Sequence, residues 1–367
     1  MKFICNKSEL SEAIGKVSKA TAPKSTIPAL EGIKVKVTDG VIELTAYNLD
    51  MGVRTAIKAE TDGTGEFVVS PRLFNEFTRR MSGDEITFEI NDIMIITISC
   101  SSTECSFSAM SAEEYPDLPV VDMERGFTIK NGVLKSMILQ TSYATSQNEN
   151  KPILTGELFD IKGGKFNMVA IDGFRLAIRT EIIDCNDDYH FVVPKKALLE
   201  LSALIKDEDN DCNVYMNDRH IIFETGDVFL ISRLLEGEFH RYQSSIPLSH
   251  KTEVIINKRD FSTSLERCSL LIDDKNKSPI RCEISDGTVK LNCKTAIGRL
   301  NDTITADVAG DSVTIGFNNK LILEALRASE SDKVKIRFSG ASKVIEILPI
   351  EGESFIFLVM PVQLKNI

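Results

Sequence analysis

Apolar and polar residues alternate along most of this chain, the period of half-buried strands, and short stretches with helical spacing interrupt the alternation at regular intervals. The clearest strand pair is PALEGIKVKVTDGVIELTAYNLDMGVR, from Pro28, in which two alternating runs flank Asp39-Gly40. Asp-Gly accepts the positive φ angles of a two-residue turn, so the segment predicts a hairpin. The same plan returns in PILTGELFDIKGGKFNMVAIDGFRLAIR, from Pro152, around Gly163-Gly164, and in PIRCEISDGTVKLNCKTAIGRL, from Pro279, around Asp286-Gly287. Gly40, Gly164 and Gly287 are therefore spaced by 124 and 123 residues. A second hairpin repeats on nearly this period in ITFEINDIMIITIS, CNVYMNDRHIIFET and VKIRFSGASKVIEI, with turns at Asn91-Asp92, Asn217-Asp218 and Ser339-Gly340. Two landmarks in matched order predict three like domains.

Each unit also carries two helix-patterned segments, one before each hairpin region. The first set is NKSELSEAIGKVSKA, KNGVLKSMILQTSY and NKRDFSTSLERCSLLI, and the second PRLFNEFTRRM, PKKALLELSALIK and NNKLILEALRASE. Leu10, Ala13, Ile14 and Val17 fall on one helical face, as do Val133 with Met137 and Leu134 with Ile138. Ser70-Pro71 and Val193-Pro194 place a proline at a helix start, where its missing N–H costs nothing. The expectation is an α+β protein of about two helices and eight strands per domain, with domains at 1–120, 121–246 and 247–367. LPVVDMERG and SSIPLSHKT interrupt the patterns near those boundaries.

The 367 residues carry a net charge of −11, which for the whole chain repels polyanions. Charge is segregated, however. Over 6–20, 71–81, 130–143, 194–206, 257–272 and 318–329 the helical segments hold 16 Lys or Arg against 7 Asp or Glu, a net +9 that leaves −20 for the remainder. Phosphate binding depends on local potential, so an acidic exterior is compatible with a cationic surface for nucleic acid. Glu12 and Lys16 are spaced for an i,i+4 pair that offsets part of it. The eight cysteines form no CxxC pair and the four histidines no HExxH, which predicts reduced, mostly half-buried thiols and no metal. There is no phosphate-binding glycine loop, nucleophile elbow or base-reading signature, and no tryptophan, so neither catalysis nor a stacking platform for single strands is supported. Asp172-Gly173-Phe174-Arg175 reads as a turn at a strand end. No apolar run approaches the roughly 18 residues of a membrane span, and MKFICNKSEL is too short an apolar stretch for a secretory signal, so a cytoplasmic protein is expected.

Several stretches together resemble the bacterial DNA polymerase III beta subunit family, the replicative sliding clamps: IPALEGIKV with LTAYNLDMGVR, NKPILTGELF with MVAIDGFRLAIR, FVVPKKALLEL, LLEGEF and FLVMPVQL. The resemblance spans the chain. It implies three repeated domains of the DNA clamp fold, and two subunits joined head to tail into a ring with helices inside and sheets outside. It implies a non-catalytic processivity factor without cofactors, associated with the nucleoid, that encircles duplex DNA non-specifically. The implied partners are the polymerase III alpha subunit, the clamp loader, other polymerases and mismatch-repair proteins, all bound through linear peptides. A rival reading is a monomeric three-domain scaffold that binds proteins only. A third, an enzyme built from residues distant in sequence, would need a pocket of mutually perturbed titratable groups.

By the same resemblance, DNA-facing positions are Lys24, Arg72, Arg79, Arg80, Gln147, Asn148, Lys195 and Lys196. Lys24 stands where arginine is frequent, keeping the charge without the planar fork. The peptide groove is implied at Leu154, Ile171, Gly173, Phe174, Arg175, Leu176, His240, Val344, Val359, Met360, Pro361, Val362 and Leu364, an apolar set with an adaptable methionine. Phe174 replaces a common histidine and Gln363 a frequent arginine, and Lys365, Asn366 and Ile367 extend the tail. For the dimer seam, Phe107 and Met110 at the last strand of the first domain are expected to face Leu271 and Ile272 at the start of the third.

Overall fold

The computed structural model describes residues 1–272 and 278–364. Among these residues are six helices, two in each repeat: α1 Lys7–Val17, α2 Pro71–Arg80, α3 Asn131–Thr141, α4 Lys195–Leu204, α5 Lys258–Ser269 and α6 Asn319–Ala328. Their starts are chemically marked. The side chain of Asn6 accepts hydrogen bonds from the backbone N–H groups of Ser8 and Glu9, and Asn257 and Asn318 cap α5 and α6 in the same way. Pro71 opens α2 as expected, whereas Pro194 ends the strand Tyr189–Pro194 and α4 begins one residue later.

The glycine turns form as predicted. Gly163, Gly164, Asp286 and Gly287 all have positive φ, which closes two-residue hairpins. The second hairpins use longer loops than two residues. The side chain of Asn91 accepts from the N–H groups of Ile93 and Ile95, and that of Asn217 from Arg219 and His220, so each asparagine organises its own turn.

Compactness follows the sheets instead of the repeats. One unit combines residues 1–132 with 200–234, and the other 133–199 with the chain from 235 onward. The middle repeat is shared between them. In the first unit its strand Val228–Arg233 pairs antiparallel with Met51–Lys58 of the first repeat, inside an eight-stranded sheet. In the second unit Arg175–Ile182 pairs antiparallel with Phe355–Val359 of the last repeat, inside a nine-stranded sheet. These two joints are equivalent, each joining the fourth long strand of one repeat to the last strand of the next. The remaining copies of those strands, Thr103–Ser108 and Arg299–Thr305, lie at the edges of a five-stranded and a four-stranded sheet.

Helices cover one face of the sheets and supply the cores. In the first unit Phe3 stacks on Phe88 at 4.7 Å and Phe74 of α2 meets Phe88 edge-on. In the second, Phe261, Leu265, Ile322 and Leu326 of α5 and α6 share a core with Phe355, Phe357 and Val359. Six cysteines are buried outright, more than the half-burial expected, and burial pushes the Cys5, Cys212, Cys268 and Cys282 thiols up to about 12. No described helix is long and apolar enough to cross a membrane.

One carboxyl is buried with the apolar residues. Glu157, on the strand Gly156–Lys162, is fully buried and accepts hydrogen bonds from the hydroxyls of Thr141 and Ser142. Burial raises its pKa to about 7, against the smaller lowering by the two hydroxyls and Lys195. Because the folded value lies above the unfolded one, folding favours the protonated form, and stability falls as pH climbs from the ordinary carboxyl range through 7. Glu157→Gln removes that penalty, on the order of 3 kcal/mol once the group is ionised. Thermal unfolding should show the variant several degrees more stable than the parent at pH 8, with the difference nearly gone at pH 5.

Candidate functional site

The side of the nine-stranded sheet away from α5 and α6 carries a second apolar cluster. Successive residues of a strand face opposite ways, and pairing across strands aligns those facing the same way. The register gives one row running Ile171, Leu176, Leu358, Glu346, Arg337 and Glu253 across six strands. Leu158, Val169, Leu176, Ile178 and Leu358 form the floor with Phe239 and Tyr242 from the segment after the strand Val228–Arg233, and Leu154 and Ile171 pack at its edge.

Two short pieces of chain raise the rim. Asp172 accepts from the N–H groups of Phe174 and Arg175, and Gly173 takes φ 94°, so this turn carries Phe174 outward at 67% exposure. The carboxyl-terminal tail passes alongside. Met360 donates its N–H to Phe174 O at 2.8 Å and Val362 to Gly316 O at 2.8 Å. Leu364 lies on Gly316, where a Cβ would come within 2.8 Å of it. Met360 and Val362 remain 47% and 38% exposed.

The structure thus brings Leu154, Ile171 and Leu176 into one cluster, sets Phe174 beside Met360 through a backbone hydrogen bond, and lays Val362 and Leu364 along Gly316. Half-buried Val344 precedes the strand Ile345–Leu348, and exposed His240 stands 3.3 Å from Ser245 Oγ. Two expected groove residues are used otherwise. Val359 turns to the opposite face and enters the helix-side core, leaving Leu358 to face the groove. Arg175 is locked by Asp172 and Glu324 and lies over the Tyr143 ring at 5.0 Å, so its side chain fastens the turn to α6. Gln363 is exposed, while Lys365, Asn366 and Ile367 lie outside the described residues.

The cationic positions divide by their partners. Lys16 is held by Glu12 and Asp227, Lys19 by Glu200, Lys206 by Glu12, Arg267 by Asp302 and Arg327 by Glu266. Much of the helical surplus is therefore spent within the chain. Lys24, Arg72, Arg79, Lys195 and Lys196 make no ion pair with any described residue, and all but half-exposed Lys195 are exposed. Arg72 and Arg79 are seven residues apart on α2, on the side away from buried Phe74 and Thr78. Arg80 is exposed but pairs with Glu76. Gln147 and Asn148 are exposed in the loop after α3, where Asn148 Oδ1 accepts from Asn150 N–H.

At the expected seam, Phe107 stacks on Phe77 at 5.4 Å and Met110 bridges to Val68. Leu271 and Ile272 pack partly buried against the last repeat's core, with Leu271 beside Gly298 at the start of the edge strand 299–305.

Three family profiles match in order along the chain: the N-terminal domain of the DNA polymerase III beta subunit over residues 1–119, its central domain over 128–241 and its C-terminal domain over 243–363. The chain belongs to the DNA polymerase III beta subunit family. It is similar to the beta sliding clamp of Bacillus subtilis, 28% identical over 99% of this chain and all of the relative. Among solved structures it resembles a putative DNA polymerase III beta subunit from Eubacterium rectale, at 31% identity, 99% coverage of both chains and TM-score 0.94. A DNA polymerase sliding clamp from Bacillus subtilis matches over the full length of both chains at 28% identity and TM-score 0.96.

Within this beta subunit the repeat shows that the two joints are covered by different residues. Tyr47 and Gly52, a register pair in the first unit, correspond at the 124-residue spacing to Ile171 and Leu176. Leu118 sits on Gly52, where a Cβ would meet it at 2.6 Å, and Tyr115 fills the adjoining space. When Tyr242 is matched to Tyr115, Ser245 takes the place of Leu118. With a small polar residue at 245, Leu176 and Leu358 are covered by other neighbours, at 2% and 3% exposure, a difference present in the aligned repeats but silent until the segment is known to cross the sheet.

Proposed function

We propose that the protein is a DNA sliding clamp, a non-catalytic processivity factor of which two copies close head to tail around duplex DNA. The observation that carries this reading is the unmatched joint. The chain makes the same strand-to-strand joint twice and leaves its two halves, Thr103–Ser108 and Arg299–Thr305, on separate edges. A second copy supplies the missing partner to each, and closure avoids an open filament. The domains 1–120, 121–246 and 247–367 become six like modules per ring, with Phe107, Met110, Leu271 and Ile272 at the seams.

In such a ring Lys24, Arg72, Arg79, Arg80, Gln147, Asn148, Lys195 and Lys196 meet the phosphates. Sliding requires contacts to the backbone without base-edge pairs, which agrees with the lack of any reading motif. The groove on the second unit receives linear peptides of the polymerase, clamp loader and repair proteins, and the site of action is the cytoplasmic nucleoid. Retention on closed circular duplex should be lost on linearisation, and equal retention on both would refute encirclement. Replacing Lys24, Lys195 and Lys196 together by alanine should weaken retention and flatten its salt dependence, by about one in log–log slope for each phosphate that is no longer neutralised. An unchanged slope would remove these residues from the DNA surface.

A further inference from the structure

The groove floor continues into a cavity of about 540 Å³ beneath the segment around Tyr242–His250, with Ile178, Tyr242, Ile246 and Ile356 common to both. Glu346 lines it. This residue stands directly across from Leu358 in the strand register, and Ile345 and Ile347 on either side of it belong to the opposite core. Glu346 is only 5% exposed, yet no described residue gives its carboxylate a hydrogen bond or an ion pair. Its oxygens are not among the enclosed unpartnered atoms and open onto the cavity, so the carboxylate is within reach of a donor from outside. Arg337, its other cross-strand neighbour, is already held by Glu253 at 2.9 Å, and Glu353 adds a further carboxylate to the cavity wall. The cavity's lysines, Lys162 and Lys165, lie on strands three or more places away in the sheet, at the far end. Burial raises the Glu346 pKa, against a smaller lowering by Arg337, and Glu353 raises it further.

We propose that Glu346 is a specificity-determining acceptor that selects partner peptides carrying an Arg or Lys beside their apolar anchors. The inference rests on the reading of this face as a peptide groove. Leu176 and Glu346 are two strand spacings apart, roughly 10 Å, a distance that about three residues of extended chain cover. A peptide whose apolar side chains fill the space over Leu176 and Leu358 therefore brings a neighbouring basic side chain to Glu346. The chemistry favours the guanidinium, whose planar fork satisfies a carboxylate with two hydrogen bonds.

The test uses three fluorescein-labelled nonapeptides with one central Leu-Phe pair, flanked on both sides by Arg, Ala or Glu, and reads binding to the full-length protein by anisotropy at 150 mM salt. The Arg-flanked peptide should bind about tenfold more tightly than the Ala-flanked one, the Glu-flanked one more weakly than either. Glu346→Gln should reduce the Arg-to-Ala ratio to about twofold or less, while Glu60→Gln, on the first unit, should leave it unchanged. Equal affinities for the Arg and Ala peptides overturn the proposal on the unaltered protein alone. A ratio that survives Glu346→Gln, or falls equally with Glu60→Gln, overturns it by assigning the preference to another site or to net charge. If none of the three peptides binds, the groove reading itself fails and takes this inference with it.

Discussion

Replacing Ser106 with proline should turn the two-copy assembly into single folded chains. Ser106 lies in the edge strand Thr103–Ser108, which pairs on one side with Ile95–Cys100. Beyond that strand's end, Ala109 donates its N–H to Met94 O at 2.8 Å, which makes 94 with 109 a hydrogen-bonded pair. In an antiparallel ladder such pairs alternate with non-bonded ones, so residues 107, 105 and 103 point their backbone groups inward and 108, 106 and 104 point theirs outward. Proline at 106 therefore spares the internal ladder and removes an outward donor. Within the chain it costs the hydroxyl contact between Thr97 and Ser106, at 3.0 Å, and little else. Across a seam it leaves an acceptor unpaired and sets a ring against the facing strand, together about 3 kcal/mol, or about 100-fold in association. A closed two-copy ring contains the seam twice, which compounds the loss. Sedimentation at micromolar concentration should report the dimer mass for the parent and the monomer mass for Ser106→Pro, with thermal unfolding shifted only slightly. Retention on circular DNA should disappear with the dimer. A variant that remains dimeric would place the contact away from this edge.

How much of this could be read in the sequence depends on how local each cause is. Turn chemistry and helix caps are local: Gly163-Gly164 and Asp286-Gly287 dictate their hairpins, and Asn6, Asn257 and Asn318 mark helix starts within three residues. The repeat relates the two joints residue by residue once their strand pairing is known. Pairing between Arg175–Ile182 and Phe355–Val359, some 180 residues apart, has no local signature. The run FIFLVMP is apolar at every position, so alternation could not tell that Leu358 faces the groove and Val359 the core. Arg175 reads as a free cation until Asp172, Glu324 and Tyr143 are seen around it, and Lys16 until Asp227 arrives from 211 residues away. Glu157 in GELFD and Glu346 in VIEIL were visible as charges inside apolar strands. Such a pattern marks a carboxyl that is either satisfied internally or waiting for a donor, and here one of each occurs.

Removing the chain from Met360 onward should sharply weaken peptide binding while leaving DNA retention intact. The tail begins where the last strand ends, and two backbone hydrogen bonds, from Met360 to Phe174 and from Val362 to Gly316, hold it in place. Met360 and Val362 contribute exposed apolar surface to the rim, and among the described residues Leu364 and the Val362 backbone cover Gly316. The cores survive its removal, because Phe355, Phe357 and Val359 all precede the cut. A bound peptide, by contrast, loses the wall against which its apolar side chains are buried. Covering the exposed part, under half, of a methionine and a valine is worth about 0.7–1.4 kcal/mol each, so the combined effect is about 1.4–3 kcal/mol, roughly 10- to 100-fold in affinity. Freed of the tail, the Phe174 turn also loses its backbone partner, which adds to the effect. Anisotropy with the Ala-flanked nonapeptide should show affinity falling by about tenfold or more, while circular-DNA retention and dimer mass match the parent. Undiminished peptide binding would place the groove elsewhere. Loss of the dimer as well would mean that the tail supports the last repeat's core, and the two functions would not be separable at this residue.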